Sequence, residues 1–136
     1  EWLDIGARVS GVEYSQANNL RNQCNGLIRS AMQDIDVLAC PSTIGTAYPI
    51  TMDQMYGPLD KSRGLSFQKF TVPYNFNGYP TLSVPCGLSN DGMPLSLQFI
   101  GHPFSEDLLC RVGYAYEHAT QWWLMHPPDH GGTQNL

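Results

Sequence analysis

Between residues 10 and 33 the apolar positions repeat on a helical period. Leu20, Cys24, Leu27, Ile28 and Ala31 recur along one face, while Asn18, Arg21, Asn22, Asn25 and Arg29 occupy the other. Ser10 followed by Glu13 forms the capping-box pattern that starts a helix. A face of this kind predicts packing in an apolar core rather than a partner-binding helix. Ile35–Pro41 is a short apolar run that stops at proline, which predicts a buried strand. The stretch from Ser42 to Gly64 is a loop rich in Pro, Gly, Thr and Tyr, long enough to point to function. Thr71 is placed to cap a short helix, with Pro73 in its first turn, Gly78 at its end and Pro80 just beyond.

Strict alternation then takes over. Thr81–Pro85 alternates as a strand, Asn90-Asp91-Gly92 marks a turn, and Leu95, Leu97 and Phe99 alternate with Ser96 and Gln98. The pair predicts two antiparallel neighbours in one sheet. Ser105 is placed to cap a last helix with Glu106 and Asp107 in its first turn, where the helix dipole favours acids. Leu108, Leu109, Val112, Ala115, Tyr116, Ala119, Trp122 and Trp123 line its apolar face, and Pro127-Pro128 ends it. Residues 129–136 read as a loose polar tail after a single unit over 1–128. The order is helix, strand, long loop, short helix, two strands, helix, which predicts an α/β fold with a mixed sheet. Three strands are few for an independent sheet between two long helices, so the remaining strands are expected to come from further chain.

Composition sharpens this picture. Only 14% of the 136 residues are charged, and a low-charge, Gly- and Pro-rich surface is easier to explain if much of it faces other protein. The first residue is Glu1 rather than Met, which fits a segment or a processed chain. Net charge is −5 and the seven basic residues are scattered, so nothing resembles a phosphate-neutralising stripe and nucleic acid is disfavoured as a partner. No apolar run approaches a membrane span, and no secretory signal pattern is present. The cysteines Cys24, Cys40, Cys86 and Cys110 form no C-x-x-C pair, so they read as buried free thiols of a cytoplasmic protein.

Candidate chemistry inside the chain is sparse. None of the serines lies in G-x-S-x-G, and His102, His118, His126 and His130 cluster late, so no self-contained triad is expected. His126 and His130 have zinc-like spacing, but Pro127 and Pro128 intervene and no thiol pair stands upstream, so no metal site is expected. Asp34 and Asp36 could pair for acid–base work, but a solvated helix–strand junction explains them better. No phosphate-cradling glycine motif occurs, and no cofactor is expected.

The ordered series of motifs nonetheless resembles the C-terminal third of the amidase signature family. The series begins with a capped helix carrying Tyr14, Ala17 and Arg21, then Asp36-Val37-Leu38-Ala39-Cys40-Pro41-Ser42-Thr43. It continues through Asn75, Gly78, Pro80, Pro85 and Gly87, then Gly92, Pro94, Leu97, Gln98 and Gly101. It closes on Leu108, Leu109, Glu117, Trp123 and His126-Pro127. The resemblance implies part of an α/β/α sandwich with a mixed central sheet. It implies an acyl-enzyme hydrolase of amides, with esters and carbamates sharing the same tetrahedral chemistry. The family's Ser–Ser–Lys set has no matching positions here, and Lys61 and Lys69 lie in the wrong context, so no catalytic residue is assigned. The partners implied are an N-terminal catalytic segment of the same enzyme and a small-molecule amide. This chain alone should be inactive and, with bare strand edges, poorly soluble.

Family C-terminal loops help to wall the acyl pocket. The candidates here are Thr43, Ile44, Gly45 and Thr46 after the first strand and Phe70 before the short helix, with core packing an equal reading for Ile44 and Phe70. Tyr48, Met55 and Tyr56 in the long loop suit a large apolar or aromatic substrate. Members that amidate charged tRNA tend to have Asp where this chain has Gln68, which weakens a transamidase-subunit reading. The rival from another class is a non-catalytic binding or interaction module.

Overall fold

The computed structural model describes residues 2–47 and 68–125. Tyr48, Met55, Tyr56, Lys61, His126, His130 and the expected tail 129–136 lie outside the described residues.

A short helix α1 (Trp2–Gly6), not expected from the pattern, precedes α2 (Gly11–Ala31). The capping box forms as expected. The Glu13 amide donates to Ser10 Oγ at 3.2 Å, and the Ser10 amide donates to Glu13 Oε2 at 2.8 Å. The apolar face of α2 departs from expectation. No α2 side chain is buried, and Leu20 and Leu27 stand 61% and 72% exposed. Among the described residues α3 approaches this helix, but no core closes over it.

The remaining elements are β1 (Val37–Pro41), α3 (Val72–Asn77), β2 (Thr81–Leu88), β3 (Pro94–Gly101) and α4 (Glu106–Thr120), followed by a 3-10 turn at Trp122–Leu124. The strands form one sheet in the order β1-β3-β2, and both pairings are antiparallel. The parallel members expected of a mixed sheet are not among them. Leu82 lies opposite Phe99 and Val84 opposite Leu97 on one side of β3, while Cys40 lies opposite Gln98 on the other. Pro41 and Pro85 both sit in edge strands, where proline's missing N–H is tolerated.

One sheet face buries the core. Val84, Phe99 and Leu109 are buried together, with Val37, Leu82, Leu97, Val112 and Tyr116 packed against them. Phe99 and Tyr116 meet edge to face with ring centres 5.6 Å apart. Gly113 lets α4 lie close to the sheet, since a Cβ there would run into the Leu82 side chain. By the two-residue period of a strand, Leu38, Cys40, Ser83, Ser96, Gln98 and Ile100 face the other way. The chain entering α3 covers part of that face.

Local signals were decoded unevenly. Gly78 adopts the left-handed conformation that ends α3 (φ 73°), and Gly92 does so in the β2–β3 turn (φ 77°). Thr71 and Ser105 stand at helix starts but do not cap them. Thr71 Oγ1 donates to the Gln68 carbonyl, and Ser105 Oγ donates to the His102 carbonyl at 2.7 Å. The last helix does not continue to Pro127. It stops at Thr120, and left-handed Gln121 (φ 55°) redirects the chain so that the Trp122 ring lies over Gly87. Cys24 and Cys110 are exposed, so the reading of four buried thiols is corrected to partly buried Cys40 and Cys86 only.

Candidate functional site

Where β1 ends, Ser42 extends its ladder by one more bond, from its amide to the Ser96 carbonyl at 3.0 Å. The chain then turns away, and Thr43 Oγ1 donates to the Gly45 carbonyl at 2.7 Å, which folds the loop on itself. This loop forms one wall of a cleft of about 560 Å³ at the end of the sheet. Thr43, Ile44 and Gly45 line it on one side, Lys69 and Phe70 on another, and Leu95 and Leu97 of β3 contribute the strand side. A volume of that order suits a small organic molecule. The structure thus brings together four of the residues singled out by sequence, Thr43, Ile44, Gly45 and Phe70. Thr46 is half-buried but is not part of the lining.

Two polar features at the cleft were not legible in the sequence. The first is a hydroxyl cluster across all three strands. Ser42 Oγ lies 2.8 Å from Ser96 Oγ and 3.1 Å from Ser83 Oγ, and Ser96 Oγ donates to the Val84 carbonyl. These hydroxyls bond one another and backbone; no base among the described residues reaches them by a hydrogen bond. Ser42 is buried at 8% exposure, and among the described residues the cluster ties strand ends together with no base bonded to it. The second feature is Gln98, 4% exposed on the central strand. Its Nε2 donates to the Phe70 carbonyl at 2.8 Å and lies 3.5 Å from Cys40 Sγ.

Two tyrosines, one on each side of the sheet, are shifted away from charge. Burial pushes the Tyr74 phenol up from its ordinary value, and the neighbouring Cys40 adds to the effect. Burial likewise raises Tyr116, with Cys86 contributing and a hydrogen bond involving Thr120 opposing. Neither tyrosine is set up as a phenolate base. Among the described residues no group of three or more His, Cys, Asp or Glu side chains could hold a metal ion. No helix among them is long and apolar enough to cross a membrane. A second, smaller cleft of about 370 Å³ lies between Pro85, Pro94, Trp122, Trp123 and Met125. It offers no side-chain hydrogen-bonding group on the sheet side to orient a ligand.

Known proteins resolve what the geometry belongs to. The Amidase family model matches residues 3–110. The chain is 40% identical over 114 residues to a glutamyl-tRNA(Gln) amidotransferase subunit of Cyanothece sp., an alignment covering 84% of this chain and 23% of that protein. It therefore spans about a quarter of the length of the curated relative it matches. A 6-aminohexanoate cyclic dimer hydrolase superposes with a TM-score of 0.73 at 28% identity, covering 90% of this chain and 27% of the other. A bacterial aryl acylamidase of the amidase signature family superposes with a TM-score of 0.76 over 90% of this chain and 26% of the other, and at 23% identity it speaks for the fold alone. The capped helix and the antiparallel strands around Gln98 are thus parts of the amidase signature fold, and the chain belongs to the amidase family.

Proposed function

We propose that the chain is the C-terminal segment of a serine-dependent amidase that cleaves amide bonds, and by the same chemistry esters or carbamates, through an acyl-enzyme. The observation that carries this reading is the family match over residues 3–110 in a chain that spans only 23% of a matched relative's length. The nucleophile, its bridging serine and the lysine base are assigned to an N-terminal part of the same cytoplasmic enzyme, which is the segment's partner. This segment contributes one wall of the acyl cleft through Thr43, Ile44, Gly45 and Phe70. In the reaction the serine attacks the carbonyl, backbone N–H groups hold the oxyanion, the amine leaves with a proton, and water releases the acid.

The test is to react the complete protein with a serine-directed fluorophosphonate and map the adduct by peptide mass spectrometry. The adduct should fall on a serine outside residues 1–136. An adduct on Ser42, Ser83 or Ser96 would place the chemistry inside this chain and overturn the assignment.

A second reading is one subunit of a transamidase, favoured by the 40% identity to the glutamyl-tRNA(Gln) amidotransferase subunit. Gln68 in place of the Asp common among tRNA-amidating members weighs against it. Glutamine-dependent amidation of glutamyl-tRNA by the complete protein with its fellow subunits would favour this second reading, whereas turnover of free small amides without them would favour the first.

A further inference from the structure

A buried primary amide on a central strand has to be paired, because desolvating it without partners costs more than an apolar side chain of the same size would. Gln98 meets that need in a specific way. Its N–H group bonds the carbonyl of Phe70, 28 residues earlier in the chain and outside the sheet ladder. A methionine or leucine would fill the same space, but only the amide gives the loop a direction. Phe70 lines the cleft, and Leu95 and Leu97, on the same strand as Gln98, line it too. The strand that supplies part of the cleft is therefore also bonded, through one directional hydrogen bond, to the backbone of another lining residue, Phe70.

We propose that Gln98 is a positioning residue for substrate selection. By holding the Phe70 carbonyl it fixes the apolar wall of the cleft, and so sets the preference for amides bearing bulky apolar groups over small ones. The proposal rests on the amidase reading above. Loss of one such hydrogen bond is expected to change the ratio of kcat/KM for a bulky amide to that for acetamide by about three- to tenfold. The change should fall mainly on KM, since the wall binds the substrate's apolar part and does not touch the reacting carbonyl.

The experiment uses the complete enzyme, acetamide, and a phenyl-bearing amide. Gln98→Met keeps the volume and removes the donor, and Phe70→Ala removes the wall while keeping its carbonyl. Both should lower the bulky-to-small ratio, and the double variant should lower it no further than Phe70→Ala alone. A folded Gln98→Met enzyme with an unchanged ratio, or with both amides slowed equally, overturns the proposal. So does a Phe70→Ala ratio equal to the parent's, which keeps the test decisive should Gln98→Met fail to fold. If the parent hydrolyses no amide, the amidase reading fails instead. The crystal structure of Gln98→Met then decides the positioning by itself, a displaced Phe70 supporting that part and an unmoved one overturning the whole proposal.

Discussion

Ser10 and Glu13 hold each other at the start of α2, and the Glu13 carboxylate is pulled below the ordinary glutamate value, first by the Ser10 amide and then by its hydroxyl. A depressed carboxylate stabilises the fold above the unfolded pKa, and that contribution disappears as pH falls through the lowered folded value. An NMR titration should place the Glu13 midpoint below that of a free glutamate, and Ser10→Ala should raise it partway, since the amide donor survives. A midpoint in Ser10→Ala identical to the parent's would contradict the hydroxyl's share. Close packing makes a second prediction at this scale. Gly113→Val should cost about 1–3 kcal/mol, because its side chain would collide with Leu82 beneath α4. Chemical denaturation of the complete protein measures it. Residues whose partners lie a few positions away were legible in the sequence, as Ser10, Gly78 and Gly92 demonstrate. Thr71 and Ser105 were not, because neither takes the extended backbone of an N-cap residue: Thr71 is already helical (ψ −40°) and Ser105 has ψ 32°. The Ser42–Ser83–Ser96 cluster depends on strand order and register, which no local pattern encodes.

Elements obeyed their periodicity where they met the sheet. The alternation of β2 and β3 appears as read, and Leu109, Val112 and Tyr116 of the α4 stripe pack into a core that lies within the chain, whereas Ala115 and Ala119 stay exposed. Leu109 is its anchor at 2% exposure, and Leu109→Ala should cost about 2–5 kcal/mol in the same denaturation experiment. The stripe of α2 was equally legible as a pattern, yet its packing was not, since Leu20 and Leu27 stay exposed among the described residues. The apolar period also ran on through Trp122 and Trp123, so the break at Gln121 was missed; it follows from Trp122 turning to Gly87, a contact remote in sequence. Sheet order gives a further expectation for this chain produced alone. The central strand β3 is bonded on both sides, while β1 and β2 have an outer edge with no partner strand among the described residues. Hydrogen exchange should therefore protect Leu97–Ile100 more than Leu38–Cys40. Equal protection across the three strands would mean that the edges are covered.

At the scale of the whole molecule, low charge agrees with an apolar helix face left exposed and sheet edges left open among the described residues. They fit a chain spanning 23% of the matched relative, as the proposed role of supplying one wall of a cleft requires. The family was legible because its glycines, prolines and alternating strands are spaced by the sheet they build. The substrate was not, because the residues at the cleft, Thr43, Ile44, Gly45 and Phe70, are mostly apolar or small and single out no ligand. The most direct test of the central claim is an amide-hydrolysis assay on three samples: this chain alone, the N-terminal part of the same enzyme alone, and the two refolded together. The account predicts turnover only in the mixture. Hydrolysis by residues 1–136 alone, or a stable complex of both parts that turns over no amide, ester or carbamate, would contradict it.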